Sequence, residues 1–285
     1  MNAPSEQSDL DYCLQQIRRF DRDRYLTVLA APQRTAADLA VLYAFNLELA
    51  MVRDSVSEPM LGRIRLQWWR EAIAELFTGR LRRHAVLASL AALHARNPLG
   101  RGWFDRMIDA RESELDDAIP ADLAALESYA DATSGDLLRL AAEAVGLDPA
   151  SGDVAALIRH VGIGYGLTGI ARAALHLAGQ RRTMLPADLQ AKHGLSLDLL
   201  YELKPQPGLT AAIAELATAA RDHLAAAKRL AAPRPLQPAL RIGTLARAEL
   251  ARLERRGFDL FDARSIEPSP LDIWRLAAVR LIGSW

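Results

Sequence analysis

The sequence predicts a single all-α domain, and three observations predict it. Of 285 residues, 52 are Ala and 47 are Leu, against 13 Ile and 9 Val. Helices favour the first pair and strands the second, which excludes an all-β protein and argues against a parallel α/β sheet. Apolar residues recur at three- and four-residue spacing along most of the chain. The interruptions are short Pro and Gly turns, with neither a linker nor a repeat of fixed period. With 51% hydrophobic and 25% charged residues, the chain can bury a core and is not a disordered one.

The elements follow in order. Residues 1–8 are polar and predict a frayed start, and the helical domain runs over 9–285. Thr35, with Asp38 three positions on, reads as the N-cap of a helix over 36–53. Pro59 closes that stretch, because the residue before a proline avoids the helical region. A helix over 61–77 follows, with Ile64, Trp68, Ala72 and Leu76 as its apolar stripe. Trp68 and Trp69 then face different surroundings, one in the core and one near the surface. Further helices are predicted over 84–95, 102–116, 121–145, 153–179, 196–203, 209–231, 236–256 and 270–283. Val161–Gly179 comes nearest to a membrane span, but Arg172 and His176 interrupt it. It reads as a buried helix, and no transmembrane segment is predicted. The apolar end, 276–285, is expected to close the bundle.

Charge and motifs narrow the function. Thirty-five basic residues balance thirty-five acidic ones, which argues against a nucleic-acid partner. Cys13 is the single cysteine, so an internal disulfide and a multi-cysteine metal site are both excluded. The acidic, polar start lacks a signal pattern, and a reducing, cytoplasmic location is expected. A GxGxxG string at 164–169 sits in a helix-patterned segment without the strand that dinucleotide binding needs. It reads as a close-packing face. The six histidines never pair four apart and no GxSxG occurs, which argues against zinc and serine hydrolases. Carboxylates four apart can hold Mg²⁺ against a diphosphate. Asp105 with Asp109, and Glu112 with Asp116, alternate with arginines and read as a solvated face. Asp54 and Glu58 stay candidates, since their helix must also line the core.

A wider pattern emerges from YAFNLELA (43–50), RIRLQWWREAI (63–73), LESYADATSGDLLRLAAEAVG (126–146), LTGIARAALHLAGQRRTMLPADL (167–189) and GFDLFDAR (257–264). In this order the segments resemble the squalene/phytoene synthase family. The resemblance implies an all-α bundle of the isoprenoid synthase type, enclosing a central cavity. It also implies two facing acidic motifs, whose carboxylates hold Mg²⁺ while a diphosphate leaves. The family's first motif reads Y-A-F-x-R-x-x-D-D-x-x-D. Counted from Tyr43, Leu47 stands for the arginine, Ala50 and Met51 for the aspartate pair, and Asp54 for the last aspartate. The second reads L-T-N-x-x-R-D-x-x-x-D and ends G-R-x-Y-L-P. Counted from Leu167, Gly169 replaces the asparagine, Ala173 and Leu177 the aspartates, Arg181 the glycine and Met184 the tyrosine. Arg172, Arg182 and the Leu-Pro end remain.

One carboxylate of five is left. In this, and in AFNLELA (44–50), RDSVSE (53–58), the WWRE helix and RESELDD (111–117), the chain resembles the non-catalytic branch of the family that serves in assembling respiratory complex I, the NADH:quinone oxidoreductase. That resemblance implies no catalytic residue, no metal and no cofactor. It implies as partner an immature complex I subunit or another assembly protein. It leaves Tyr43, Arg172 and Arg182 as the ligand-binding residues. Two alternatives stay open. One is a prenyl-diphosphate transferase with a shifted site, Asp54 and Glu58 holding Mg²⁺ while Arg172 and Arg182 steady the diphosphate. The other is an isoprenoid lipid binder, whose walls become apolar through Ala50, Met51, Ala173 and Leu177. A peripheral position at the inner membrane is compatible with each.

Overall fold

The computed structural model describes residues 4–267 and 269–285, apart from the side chains of 4–6 and 266. Among the described residues there are sixteen α-helices and no strand. Helix α1 (Pro4–Phe20) begins inside the stretch expected to be frayed, and residues 1–3 lie outside the described residues. Asp21 then separates it from α2 (Arg22–Leu29), because its carboxylate accepts the Arg24 backbone N–H and caps the new helix. Helix α3 (Gln33–Ala50) is capped by Pro32, not Thr35. The proline ring fixes φ at −60° with an extended ψ of 147°, which ends the previous turn and opens the helix three residues early. From Asp38 to Leu47 every residue of α3 is buried, so this helix is the centre of one half of the bundle.

The chain leaves α3 at Ala50, not 53, and makes one 3₁₀ turn, Arg53–Ser55. Pro59 at the first position then starts α4 (Pro59–Phe77). Its buried face is Gly62, Leu66, Trp69, Ala72, Ile73 and Leu76. The predicted stripe is therefore rotated: Ala72 and Leu76 belong to it, but Ile64 is 58% exposed. The large ring decides the rotation. Trp69 packs edge-on against Phe45 of α3 with centroids 5.5 Å apart, while Trp68 is half-buried, so the two tryptophans do face different surroundings.

Helices α5 (Ala85–Arg96) and α6 (Arg101–Glu112) complete this half. Arginines of α4 bind the acids expected on a solvated face: Arg70 takes Asp109 at 2.7 Å and Glu112 at 3.1 Å. Helix α7 (Leu123–Ala130) runs through a π turn, Asp131–Gly135, into α8 (Asp136–Ala144). The long α9 (Gly152–Gly179) follows, then α10 (Ala187–Lys192), α11 (Leu197–Tyr201) and α12 (Pro207–Lys228). By length and composition α9 could cross a membrane, yet half of its apolar window is buried inside the protein.

The small residues of α9 allow that burial. A Cβ on Gly162 would lie 2.5 Å from the Cα of Gly135, and one on Gly164 would lie 2.6 Å from Leu224 of α12. The glycine-rich string is a close-packing face, as its helical context predicts. The expected helix over 236–256 divides into α13 (Gln237–Leu240) and α14 (Ile242–Arg255). Arg241 between them is buried, and its guanidinium donates to the Ala30 carbonyl at 2.8 Å. Two short helices end the chain, α15 (Ala263–Ile266) and α16 (Asp272–Leu281). One apolar core gathers α1, α3–α6 and α8, a second gathers α9, α12 and α14, and Tyr165 of α9 packs against both.

Candidate functional site

The seam between the two cores is lined by charged side chains from several helices. Tyr43 of α3 and Tyr165 of α9 line a chamber there with Arg24, Leu138 and Ile242. Arg24 binds Asp21 at 2.8 Å, and its guanidinium lies 4.9 Å from the Tyr165 ring and 5.7 Å from the Tyr43 ring. Burial pushes the Tyr43 hydroxyl up to about 12, against a hydrogen bond with Thr27 and the nearby Arg24 charge, so it stays protonated.

Further along α9, Arg172 donates to Asp23 at 2.9 Å and lies 3.7 Å from Glu249 of α14. A second small chamber is lined by these three with Gly169 and Thr168. Burial alone would lower the Arg172 pKa, but Asp23 and Tyr165 outweigh it and raise it. Burial also raises Glu249, with Arg172 and Arg252 opposing. Beyond the end of α9, Arg182 donates to Asp54 at 3.1 Å and to Asp117 at 2.8 Å, and Arg53 holds the other oxygen of Asp117 at 2.7 Å. Asp117 has φ 50°, a left-handed conformation that aspartate tolerates better than most residues. Nearby, Arg111 donates to Glu114 at 2.7 Å and to the Tyr129 hydroxyl at 2.9 Å, and Tyr129 donates to Glu114.

These contacts place each predicted residue. Asp54 and Arg182 are brought together. Arg172 belongs to a different cluster, with Asp23 and Glu249. Glu58 is exposed at the N-cap of α4. The four-residue spacing of Asp54 and Glu58 implied one helix face; because α3 ends at Ala50, the two acids lie on a 3₁₀ turn and a helix cap instead. Ala50 and Ala173 are half-buried. Met51 and Leu47 open onto a surface groove between α1, α3 and α4, with Tyr12 and Trp68. Leu177 lines a third chamber with Met184 and Arg182. The three chambers are about 10 Å³ each, room for about one water.

Mg²⁺ is usually held by one or two carboxylates together with substrate phosphates. Here the one carboxylate kept from the motifs, Asp54, is bound by Arg182, and the opposite wall offers Ala173 and Leu177. Among the described residues no three His, Cys, Asp or Glu side chains converge. The residues present do not fit the metal. Sequence reasoning missed Asp23, Arg24, Glu249 and the Arg111–Glu114–Tyr129 cluster. The DRDR run at 21–24 was the available signal, four charges opening a helix that had to face the core. It also missed His160 and His223, whose Nδ1 atoms lie 2.9 Å apart between α9 and α12.

Fold and site together define a protein of the isoprenoid-synthase class whose inner walls are joined by arginine–carboxylate pairs. The squalene/phytoene synthase family model matches residues 17–275, and the chain belongs to that family. Among its relatives, rat NADH dehydrogenase (ubiquinone) complex I assembly factor 6 is 32% identical over 88% of this chain and 75% of its own length. The human protein of that name is 30% identical over the same shares. A homologue from Dictyostelium discoideum is 27% identical over 94% of this chain and 76% of its own. A dehydrosqualene synthase solved with a ligand shares the fold at a TM-score of 0.84, with 20% identity, 97% of this chain and 96% of that one covered. A squalene synthase from Alicyclobacillus acidocaldarius does so at 0.78, with 17% identity and 90% and 97% covered.

Proposed function

We propose that this chain is a non-catalytic member of its family that acts in the assembly of respiratory complex I, by binding an immature subunit or another assembly protein. The observation that carries this reading is the exchange of metal-binding carboxylates for internal arginine–carboxylate pairs on a retained scaffold. Removing one group that stabilises a transition state typically costs about 10²–10³ in rate, and four of the five family aspartates are absent. An arginine bound to Asp23 and close to Glu249 supplies fixed positive charge that holds helices together where the family places a cation. The relatives named for complex I assembly match over most of the chain, which supports the same role here.

Deleting the gene from a host that builds complex I is expected to lower NADH:quinone oxidoreductase activity in its membranes several-fold while succinate oxidation stays unchanged. Re-expression of the wild type or of Asp54→Ala is expected to restore it. Unchanged NADH oxidation in the deletion strain would overturn the assembly role. A folded Asp54→Ala protein that failed to rescue would return the shifted transferase site.

A further inference from the structure

Helix α16 presents an apolar face that none of the described residues covers. At about 100° per residue, Ile273, Ala277, Leu281, Trp274, Ala278 and the C-cap Ile282 fill one arc of about 180°. All six are exposed, and Trp274, Leu281 and Ile282 are 72%, 87% and 76% exposed. The end 276–285, expected to close the bundle, does so only in part: Leu276 and Trp285 are buried and Val279 packs on the first core, while Ala277, Ala278, Leu281 and Ile282 face outward. The outward direction of the apolar arc is thus fixed by packing. Arg22 holds Asp272 at one end of the helix, at 3.2 Å. Beyond the other end Trp285 is buried, with the Lys228 amine 4.2 Å from its ring.

The charges on α16 are arranged around this arc. Arg275 stands at one edge and Arg280 at the other, about 20° outside the apolar residues. The helix has one carboxylate, Asp272, which is buried and bound by Arg22 and Arg275. No acid of α16 therefore faces outward, while Arg280 is exposed.

We propose that this face of α16 docks on an anionic lipid surface, with the helix lying in the membrane plane. Trp274, Leu281 and Ile282 enter the headgroup–acyl boundary, and Arg280 at the edge of the arc reaches the phosphates. Contiguous exposed apolar faces mark contact sites. Several features select lipid over a protein partner. The arc offers no hydrogen-bonding group except the Trp274 indole, whose amphipathic ring suits the interface. Exposed Arg280 stands at one edge with no acid of α16 facing outward, and its long side chain can extend to headgroups. A helix of ten residues gives reversible peripheral attachment, not a permanent anchor. The contact stands independently of the assembly role.

The test is flotation of the full chain with phosphatidylcholine vesicles, with and without phosphatidylglycerol. The wild type is expected to float with the anionic vesicles, and the bound fraction should fall several-fold at high salt or with phosphatidylcholine alone. The double variant Trp274→Glu/Leu281→Glu changes only exposed positions. It should keep the helical circular dichroism and melting temperature of the wild type and bind roughly tenfold or more weakly. Arg280→Glu should weaken binding to the anionic vesicles alone. A folded wild type that stays with the solution in every case overturns the proposal, as does a double variant that floats equally well. So does a wild-type dimer that the double variant converts to monomer while vesicle binding is absent, which would make the face an interface between copies.

Discussion

Arg172 shows at a single residue how the family's inner wall has changed. Its neighbour at 173 is Ala where the motif has Asp, and its own guanidinium lies between Asp23 and Glu249 at 2.9 and 3.7 Å. Replacing it by methionine keeps the apolar stem and removes the charge, so two carboxylates, 14% and 6% exposed, lose the cation they share, while Glu249 keeps Arg252 and Asp23 the more distant Arg22. Breaking a fully buried pair costs about 3–5 kcal/mol. Arg172 itself is 32% exposed, so solvent screening reduces the expected loss for Arg172→Met to about 1–3 kcal/mol. Urea denaturation measures it, and a loss below about 0.5 kcal/mol would class the contact with ordinary surface pairs. The residue itself was visible in the sequence, because the family motif marks its position. Its partner was not: Asp23 lies 149 residues earlier, and no local pattern records a contact at that separation.

Between elements, the pairing of α9 with the π turn and with α12 rests on which glycines meet backbone. Gly162 and Gly169 both lie inside α9, and replacing a helical glycine by alanine normally stabilises by about 0.5–1 kcal/mol. A Cβ at Gly169 meets nothing within 4 Å, so Gly169→Ala should show that gain. At Gly162 the new carbon falls 2.5 Å from the Gly135 Cα and 2.6 Å from its nitrogen. Backbone cannot swing aside as a side chain can, and overpacking of this kind costs about 1–3 kcal/mol. Gly162→Ala should therefore destabilise, and the two variants should shift the thermal midpoint in opposite directions. Midpoints that both rise would mean the contact with the π turn is loose. The helices as such were legible, because α4, α9, α12 and α14 carry three- and four-residue periodicity over several turns. Their breaks were less so. The division at Arg241 answers a guanidinium bonded to Ala30, and the rotation of α4 follows from Trp69 packing on Phe45. Both depend on a distant element, whereas periodicity reports only the helix on which it is written.

For the molecule as a whole, the arginine pairs and the close-packed glycines have the same consequence, which is a seam between the two cores too narrow for a prenyl ligand. Larger hollows of about 630 and 500 Å³ open to the surface along α3. Each chamber along the seam is about 10 Å³, while sites for small molecules run to about 300–1,000 Å³. Widening the seam would require parting Arg172 from Asp23 and Arg182 from Asp54 and drawing Tyr165 off both cores. Farnesyl diphosphate with Mg²⁺ should accordingly leave the melting temperature within about 1 °C of the ligand-free protein. A ligand at a hundred times its Kd would add about 2.7 kcal/mol, which in a chain of this length raises the midpoint by roughly 5 °C or more. Differential scanning fluorimetry separates these outcomes. A Mg²⁺-dependent rise of about 5 °C would mean that the seam opens and binds the diphosphate, and the transferase reading would regain its site. A flat response leaves the outer surface, with its groove beside Trp68 and the exposed face of α16, as the part of this scaffold available for binding.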